Sequence, residues 1–232
     1  MPRGTFEREL RKLQDQIISL GSIVEENIVK AVECLRLRDA IQSERLIKAD
    51  LYINEQRIKI ALDALTLIAT QQPIAGDMRV IAAVMEIVGE LERIHDYVKG
   101  IGKISLMLHQ NGPVASKLTE YMPEMAEKAR DMLHQSLTAF ANRDAALARQ
   151  IPPLDDEVDE LYKQLYRDLI QYIMAHPEET ERSNLVEWAA HNLERTADRV
   201  TNICEWVVYM VDGKYLEMDS ELEAPPDLSA SR

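Results

Sequence analysis

Glycine and proline are scarce in this chain, at 8 and 9 of 232 residues, which excludes collagen-like and turn-rich β architectures. Aromatic residues make up only 5%, so a core must be built from aliphatic side chains. Two cysteines, Cys34 and Cys204, are too few for a disulfide framework. Each falls on an apolar helical stripe, Cys34 between Val32 and Leu35 and Cys204 beside Ile203, and reads as a buried, reduced thiol. No apolar run approaches the roughly 20 residues of a membrane-spanning helix, and no basic segment followed by an apolar one opens the chain. A cytoplasmic protein without direct membrane insertion is therefore expected. Positive charge is in deficit: 27 Lys and Arg against 40 Asp and Glu leave a net charge of −13. Such a chain repels nucleic acid, whose protein partners bind mainly by neutralising phosphates, so no nucleic-acid partner is expected.

What is plentiful is Leu, Ile, Val, Ala, Glu and Arg, the makings of an all-α fold. Leu10, Leu13, Ile17, Leu20, Val24, Ile28, Ala31 and Leu35 step by three and four, predicting a first helix over 5–37. Arg38-Asp39 interrupts it, and a second helix carries Ile47, Leu51, Ile58, Leu62, Leu65 and Ile68 until Gln71-Gln72-Pro73, because a residue before proline avoids the α region. Gly76-Asp77 offers an N-cap for a third helix that ends at Asn111-Gly112-Pro113. The plan then recurs: helices over 115–141, 144–175 and 179–211, with a kink or fresh start expected at Pro152-Pro153. Two antiparallel three-helix bundles related by duplication, over 1–112 and 113–213, are the economical architecture. Beyond Gly213 the chain becomes acidic and proline-bearing, predicting a disordered tail over 214–232.

The chemistry lies in a repeated pattern. Leu91-Glu92-Arg93-x-x-Asp96 recurs 102 residues later as Leu193-Glu194-Arg195-x-x-Asp198. Positions i and i+4 are neighbours on a helix face, so each copy sets two carboxylates side by side, where they repel unless a cation intervenes. Counting from the turns at about 1.5 Å per residue puts further acids opposite them. Asp50 comes into register with Asp96 and Asn54 with Glu92, while Asp155 meets Asp198 and Asp159 meets Glu194. Converging carboxylates suit a hard or borderline divalent or trivalent cation held through oxygen, with Arg93 and Arg195 as orienting partners. The bland alternative is a pair of solvated helix faces.

The chain resembles the PhoU family of phosphate-uptake regulators over about residues 6–215. The resemblance rests on Gly21 with Val24-Glu25, on Arg38-Asp39 and Asp50, and on Gln71-Gln72-Pro73-Ile74-Ala75-Gly76-Asp77-Met78-Arg79. Both Leu-Glu-Arg-x-x-Asp copies, the second followed by Thr201-Asn202-Ile203, complete it. It implies tandem three-helix bundles, often a homodimer, and no catalysis. It further implies metal clusters, iron foremost with zinc, manganese or magnesium as alternatives, at Asp50, Glu92, Asp96, Asp155, Asp159, Glu194 and Asp198. The implied role is a negative regulator of the phosphate-starvation response, standing between the ATPase subunit of the phosphate ABC transporter and the phosphate sensor histidine kinase. The departures are Asn54 where the second repeat has Asp159, His95 before Asp96, Gly100 opposite Asn202, and Pro152-Pro153 distorting the approach to Asp155; on balance they favour the second site over the first.

Two other readings compete. Glu92-x-x-His95 has the spacing of di-iron carboxylate bundles, but a second Glu-x-x-His is missing, since Glu194 is followed by Ala197. His95 is thus expected to be exposed or paired with a partner side chain rather than bound to metal. A metal-free helical adaptor with acidic docking faces is the other. His109, His134, His176 and His191 read as surface or loop residues, and Met122, Met125 and Met132 as bundle core. Trp188 and Trp206 read as core or groove residues.

Overall fold

Long amphipathic stretches with few breakers become long helices. In a computed structural model, which describes residues 3–218, α1 is Arg3–Leu37, α2 is Ala40–Gln71 and α3 is Ala75–Asn111. A 3-10 turn at Ser116–Thr119 leads to α4 (Met122–Asn142), the single-turn α5 (Ala145–Ala148), α6 (Asp155–Ala175) and α7 (Thr180–Asp212). No strand occurs among the described residues, as the composition requires. The α1 stripe read from the sequence is buried throughout, from Leu10 to Leu35.

Duplication is visible in the backbone itself. Arg38 and Arg143 both adopt positive φ, 56° and 54°. The next residue caps the following helix each time. Asp39 accepts from the Gln42 amide at 3.0 Å, and Asp144 accepts from the Ala146 and Leu147 amides at 3.0 and 2.9 Å. A carboxylate there satisfies amides that have no intrahelical acceptor. The left-handed turn at Arg38 is further tied to the end of α3. Its guanidinium donates to the His109 carbonyl at 3.0 Å, while the His109 ring sits 3.0 Å from the Arg38 carbonyl.

Two boundaries differ from the sequence expectation. Asp77 is not the N-cap of α3; Ile74 is, without a side-chain bond, and Asp77 lies in the first turn where the helix dipole favours its charge. α4 starts later than residue 115 because Pro123 takes a first-turn position, where its missing N–H costs nothing. The stretch 144–175 is split as expected at the prolines: α5 ends, Pro152–Leu154 forms a 3-10 turn, and α6 starts afresh at Asp155.

One aliphatic core runs through both halves. The motif helices α3 and α7 lie against each other at the centre, and α1 packs on α4 beside them. α2 closes on α1 and α3, and α6 closes on α7 and α4, so each half places its second helix on the flank. The α1–α4 approach requires Gly21, where a Cβ would collide with Leu137. Met122, Met125 and Met132 are core residues, and Cys34 and Cys204 are buried free thiols. Trp188 is a correction: it is 60% exposed, because α7 turns Leu185, Val186 and Ala189 inward instead. Trp206 is half-buried against Tyr209 and Tyr215, with ring centroids 5.5 and 5.0 Å away.

The tail also begins differently than expected. Residues 214–218 fold back on α7, where buried Glu205 accepts from the Tyr215 hydroxyl at 2.6 Å and the Met218 amide at 2.7 Å. The remainder of the expected disordered tail, 219–232, lies outside the described residues. No helix among the described residues is long and apolar enough to cross a membrane.

Candidate functional site

The counted register of α2 against α3 holds. Asp50, near the start of α2, and Asp96, late in α3, face each other across a single ammonium group. Lys99 Nζ lies 2.7 Å from Asp50 Oδ2 and 2.5 Å from Asp96 Oδ1. Burial alone would lower the Lys99 pKa, but its hydrogen bonds to Asp50 and Asp96 and their charges outweigh it and raise the pKa. Asn54, one helical turn on, donates to Asp50 Oδ2 at 3.2 Å and to the Asp50 carbonyl at 3.1 Å.

His95 completes the cluster from below. It is fully buried, not exposed, and paired on both nitrogens: Nδ1 lies 3.2 Å from Asp50 Oδ1, and Nε2 lies 3.1 Å from the Asn27 amide nitrogen on α1. Burial lowers its pKa despite the neighbouring Asp50, so the ring is neutral at pH 7. The consistent tautomer donates from Nδ1 to Asp50 and accepts at Nε2 from Asn27. Glu92 lies nearby; burial and the Asp96 charge push its carboxyl above the ordinary range, with Arg57 opposing.

In the second half, Asp198, Asp159 and Glu194 lie near enough for their charges to act on Asp155. Asp155 opens α6 under α7, and its pKa is pushed up to about 8 by burial, then by the charges of Asp198, Asp159 and Glu194. One of its oxygens, Oδ1, is buried without a hydrogen-bond partner. Asp198 acts on it more strongly than the other carboxylates, the pairing that counting from the turn gives. Glu194 also has His191 Nδ1 at 3.1 Å. The residue equivalent to Lys99 is Thr201, a buried neutral side chain. Burial and the neighbouring charges thus favour the protonated form of Asp155.

Arg93 and Arg195 are placed differently than expected. Arg93 pairs with Glu90 at 2.8 Å, and Glu90 is itself 3.8 Å from Arg199 of α7. The Arg195 guanidinium lies 4.8 Å from the centre of the Tyr97 ring. The Arg195–Tyr97 contact joins α7 to α3, whereas the Arg93–Glu90 pair lies within α3 and reaches α7 only through Arg199.

Metal fits the two clusters unequally. Among the described residues, no three His, Cys, Asp or Glu side chains stand gathered as a ready metal-holding group. At the first cluster the donor set does not fit, because Lys99 already neutralises Asp50 and Asp96 at hydrogen-bonding distance. At the second the chemistry fits: four mutually repelling carboxylates include a buried oxygen with no donor, and a cation would relieve both. Sequence reasoning missed Lys99, Asn27, Glu90 and Glu205. Only Lys99 carried a signal, a cation three residues after Asp96 where the second copy has Thr201.

Comparison with known proteins now decides the family. The PhoU domain model matches the chain twice, over 17–105 and 122–207, and each match contains one Leu-Glu-Arg-x-x-Asp copy. The chain belongs to the PhoU family. Among its PhoU relatives is the phosphate-specific transport system accessory protein PhoU homolog of Clostridium acetobutylicum, 31% identical over 94% of this chain and 100% of the relative. The PhoU of Edwardsiella tarda is 31% identical over 91% of this chain and 86% of its own length. Two crystal structures share the fold. PhoU from Pseudomonas aeruginosa superposes with a TM-score of 0.85 at 30% identity, covering 90% of this chain and 100% of that one. The phosphate transport system regulatory protein PhoU from Streptococcus pneumoniae gives 0.82 at 30% identity, covering 91% and 99%.

Proposed function

We propose that this chain is a regulator of phosphate uptake that works by protein contact rather than catalysis, holding the phosphate-starvation response off when phosphate is plentiful. The carrying observation is full-length similarity to accessory and regulatory proteins of phosphate transport, with both halves of the duplicated bundle matched. Its partners on this reading are the ATPase subunit of the phosphate ABC transporter and the phosphate sensor histidine kinase, at the cytoplasmic face of the membrane. Two features support docking. The net charge of −13 favours basic surfaces on the partners. An apolar stripe of Leu51, Ile58, Leu62 and Leu65 is exposed along α2, a surface suited to a partner or to a second copy in a homodimer. Deleting the gene should switch on phosphate-starvation transcripts in phosphate-rich medium. Unchanged transcripts would refute the regulatory reading.

Within that role, the second cluster is the metal site, with Asp155, Asp159, Glu194 and Asp198 holding iron or another divalent ion. The ion would supply a positive charge to the Asp155 oxygen that has no hydrogen-bond donor and would offset the charges that raise its pKa. A metal-free adaptor is the second reading, favoured by the lysine that already neutralises the first cluster. Elemental analysis of protein purified without chelators or a metal-binding tag separates the two. Stoichiometric metal supports the first, and none supports the adaptor.

A further inference from the structure

The first cluster carries three residues that depart together from the second copy, and each has a structural partner. Lys99, in place of Thr201, bridges Asp50 and Asp96. His95, in place of Ala197, fills a fully buried position and holds the other oxygen of Asp50 at 3.2 Å. Gly100, in place of Asn202, leaves room for Asn192, whose Nδ2 would stand 2.9 Å from a Cβ at that position. An amide side chain at 100 would meet Asn192 directly. Asp50 is thereby satisfied by Lys99, His95 and Asn54, with donors on both oxygens. The oxygens that a metal ion would take from this pair are thus already occupied by an ammonium and by neutral donors.

We infer that Lys99 is the resident cation of the first acidic cluster, a covalently attached substitute for metal, so that this cluster takes no metal ion of its own. A tethered ammonium cannot dissociate or be chelated. The first half is therefore held in its bridged arrangement whatever the metal supply. The inference concerns the first cluster and rests on the family expectation that both clusters take metal; it does not require the second to be loaded.

The test uses the full chain with the second cluster disabled by Glu194→Gln and Asp198→Asn, and Mn²⁺ as the probe. With Lys99 present, chelator-stripped protein should retain no manganese after desalting and show no Mn²⁺-induced rise in Tm. Adding Lys99→Met should lower the Tm in chelator, let Mn²⁺ restore it, and bring bound manganese to about one per chain. Lys99→Arg, which keeps the charge, should take no manganese and serves as the folding control. A Lys99→Met protein that folds only in the presence of Mn²⁺ also supports the substitution. Manganese bound with Lys99 in place, and lost on Asp50→Asn, would overturn it. So would a folded Lys99→Met variant that gains no manganese. Wild-type protein without manganese, alongside a Lys99→Met variant that acquires it, would refute the metal reading of the second cluster and leave this inference standing.

Discussion

In the first half an ammonium nitrogen stands 2.7 Å from Asp50 and 2.5 Å from Asp96; at the equivalent place in the second half stands Thr201, and Asp155 carries a pKa of about 8. Both halves have the same problem, carboxylates brought together by helix packing. In one an ammonium stands between the acids; in the other burial and neighbouring charge push the Asp155 carboxyl up. The lesson is that duplicated scaffolds preserve backbone geometry more strictly than chemistry. Helix caps recur at Asp39 and Asp144 because every bundle needs its helix ends satisfied, whereas the charge at the site is set by a few exchangeable side chains.

This contrast can be broken most directly at the second cluster. Glu194→Ala with Asp198→Ala removes two of four oxygen donors and should abolish metal there while circular dichroism stays helical. Stoichiometric metal after both substitutions would show that the ligands lie elsewhere. Next comes Lys99→Met in the otherwise intact chain. It strands a largely buried Asp50 and should cost about 2–3 kcal/mol in urea unfolding at pH 7, less than a fully buried pair because Lys99 is partly solvated. Equal removal of positive charge at exposed Lys103 should cost little, and a similar loss there would make the Lys99 effect one of overall charge.

A subtler difference is in pH dependence. The Asp155 pKa is raised on folding, so the folded state binds a proton that the unfolded chain releases near pH 4. Its contribution to stability is complete below about pH 4 and fades as pH rises to about 8. In metal-free protein, Asp155→Asn should flatten this decline, which denaturation curves at several pH values would reveal. An unaltered slope would place the proton elsewhere. Metal should compete with the same proton, so binding should strengthen as pH approaches 8. The smallest effect is expected at Gly100→Ala. About 1 kcal/mol of helix propensity gained is offset by pushing the Asn192 amide aside, leaving a net change within about 0.5 kcal/mol. A large loss would mean that Asn192 cannot move.

Much of the architecture was legible in the chain because helices report themselves through local repetition. Apolar steps of three and four marked α1, and Pro73 and Pro152-Pro153 marked breaks by removing N–H donors. A constant rise per residue let Asp50 be counted against Asp96, and Asp155 against Asp198, before any coordinates. The misses have a common cause. Apolarity suggests a core or groove position for Trp188, but the direction of a side chain depends on which neighbours claim the inner face. Arg93 and Arg195 are expected beside the acids of their own motifs; in the fold Arg93 pairs one turn back on α3 with Glu90, and Arg195 of α7 lies over the Tyr97 ring of α3. The tail was read as disordered from residue 214, and a single buried carboxylate, Glu205, holds its first residues down.

By itself, the order of residues determined that this would be a duplicated helical bundle with two opposed sets of acids, since periodicity, capping and rise are properties of one chain segment at a time. Only the tertiary structure decided what those acids hold. Lys99 spans from one helix to another, His95 is reached from α1 through Asn27, and Asp155 is deprived of solvent by α7. Charge state depends on solvent exclusion and on groups distant in sequence, and these exist only once the helices have packed.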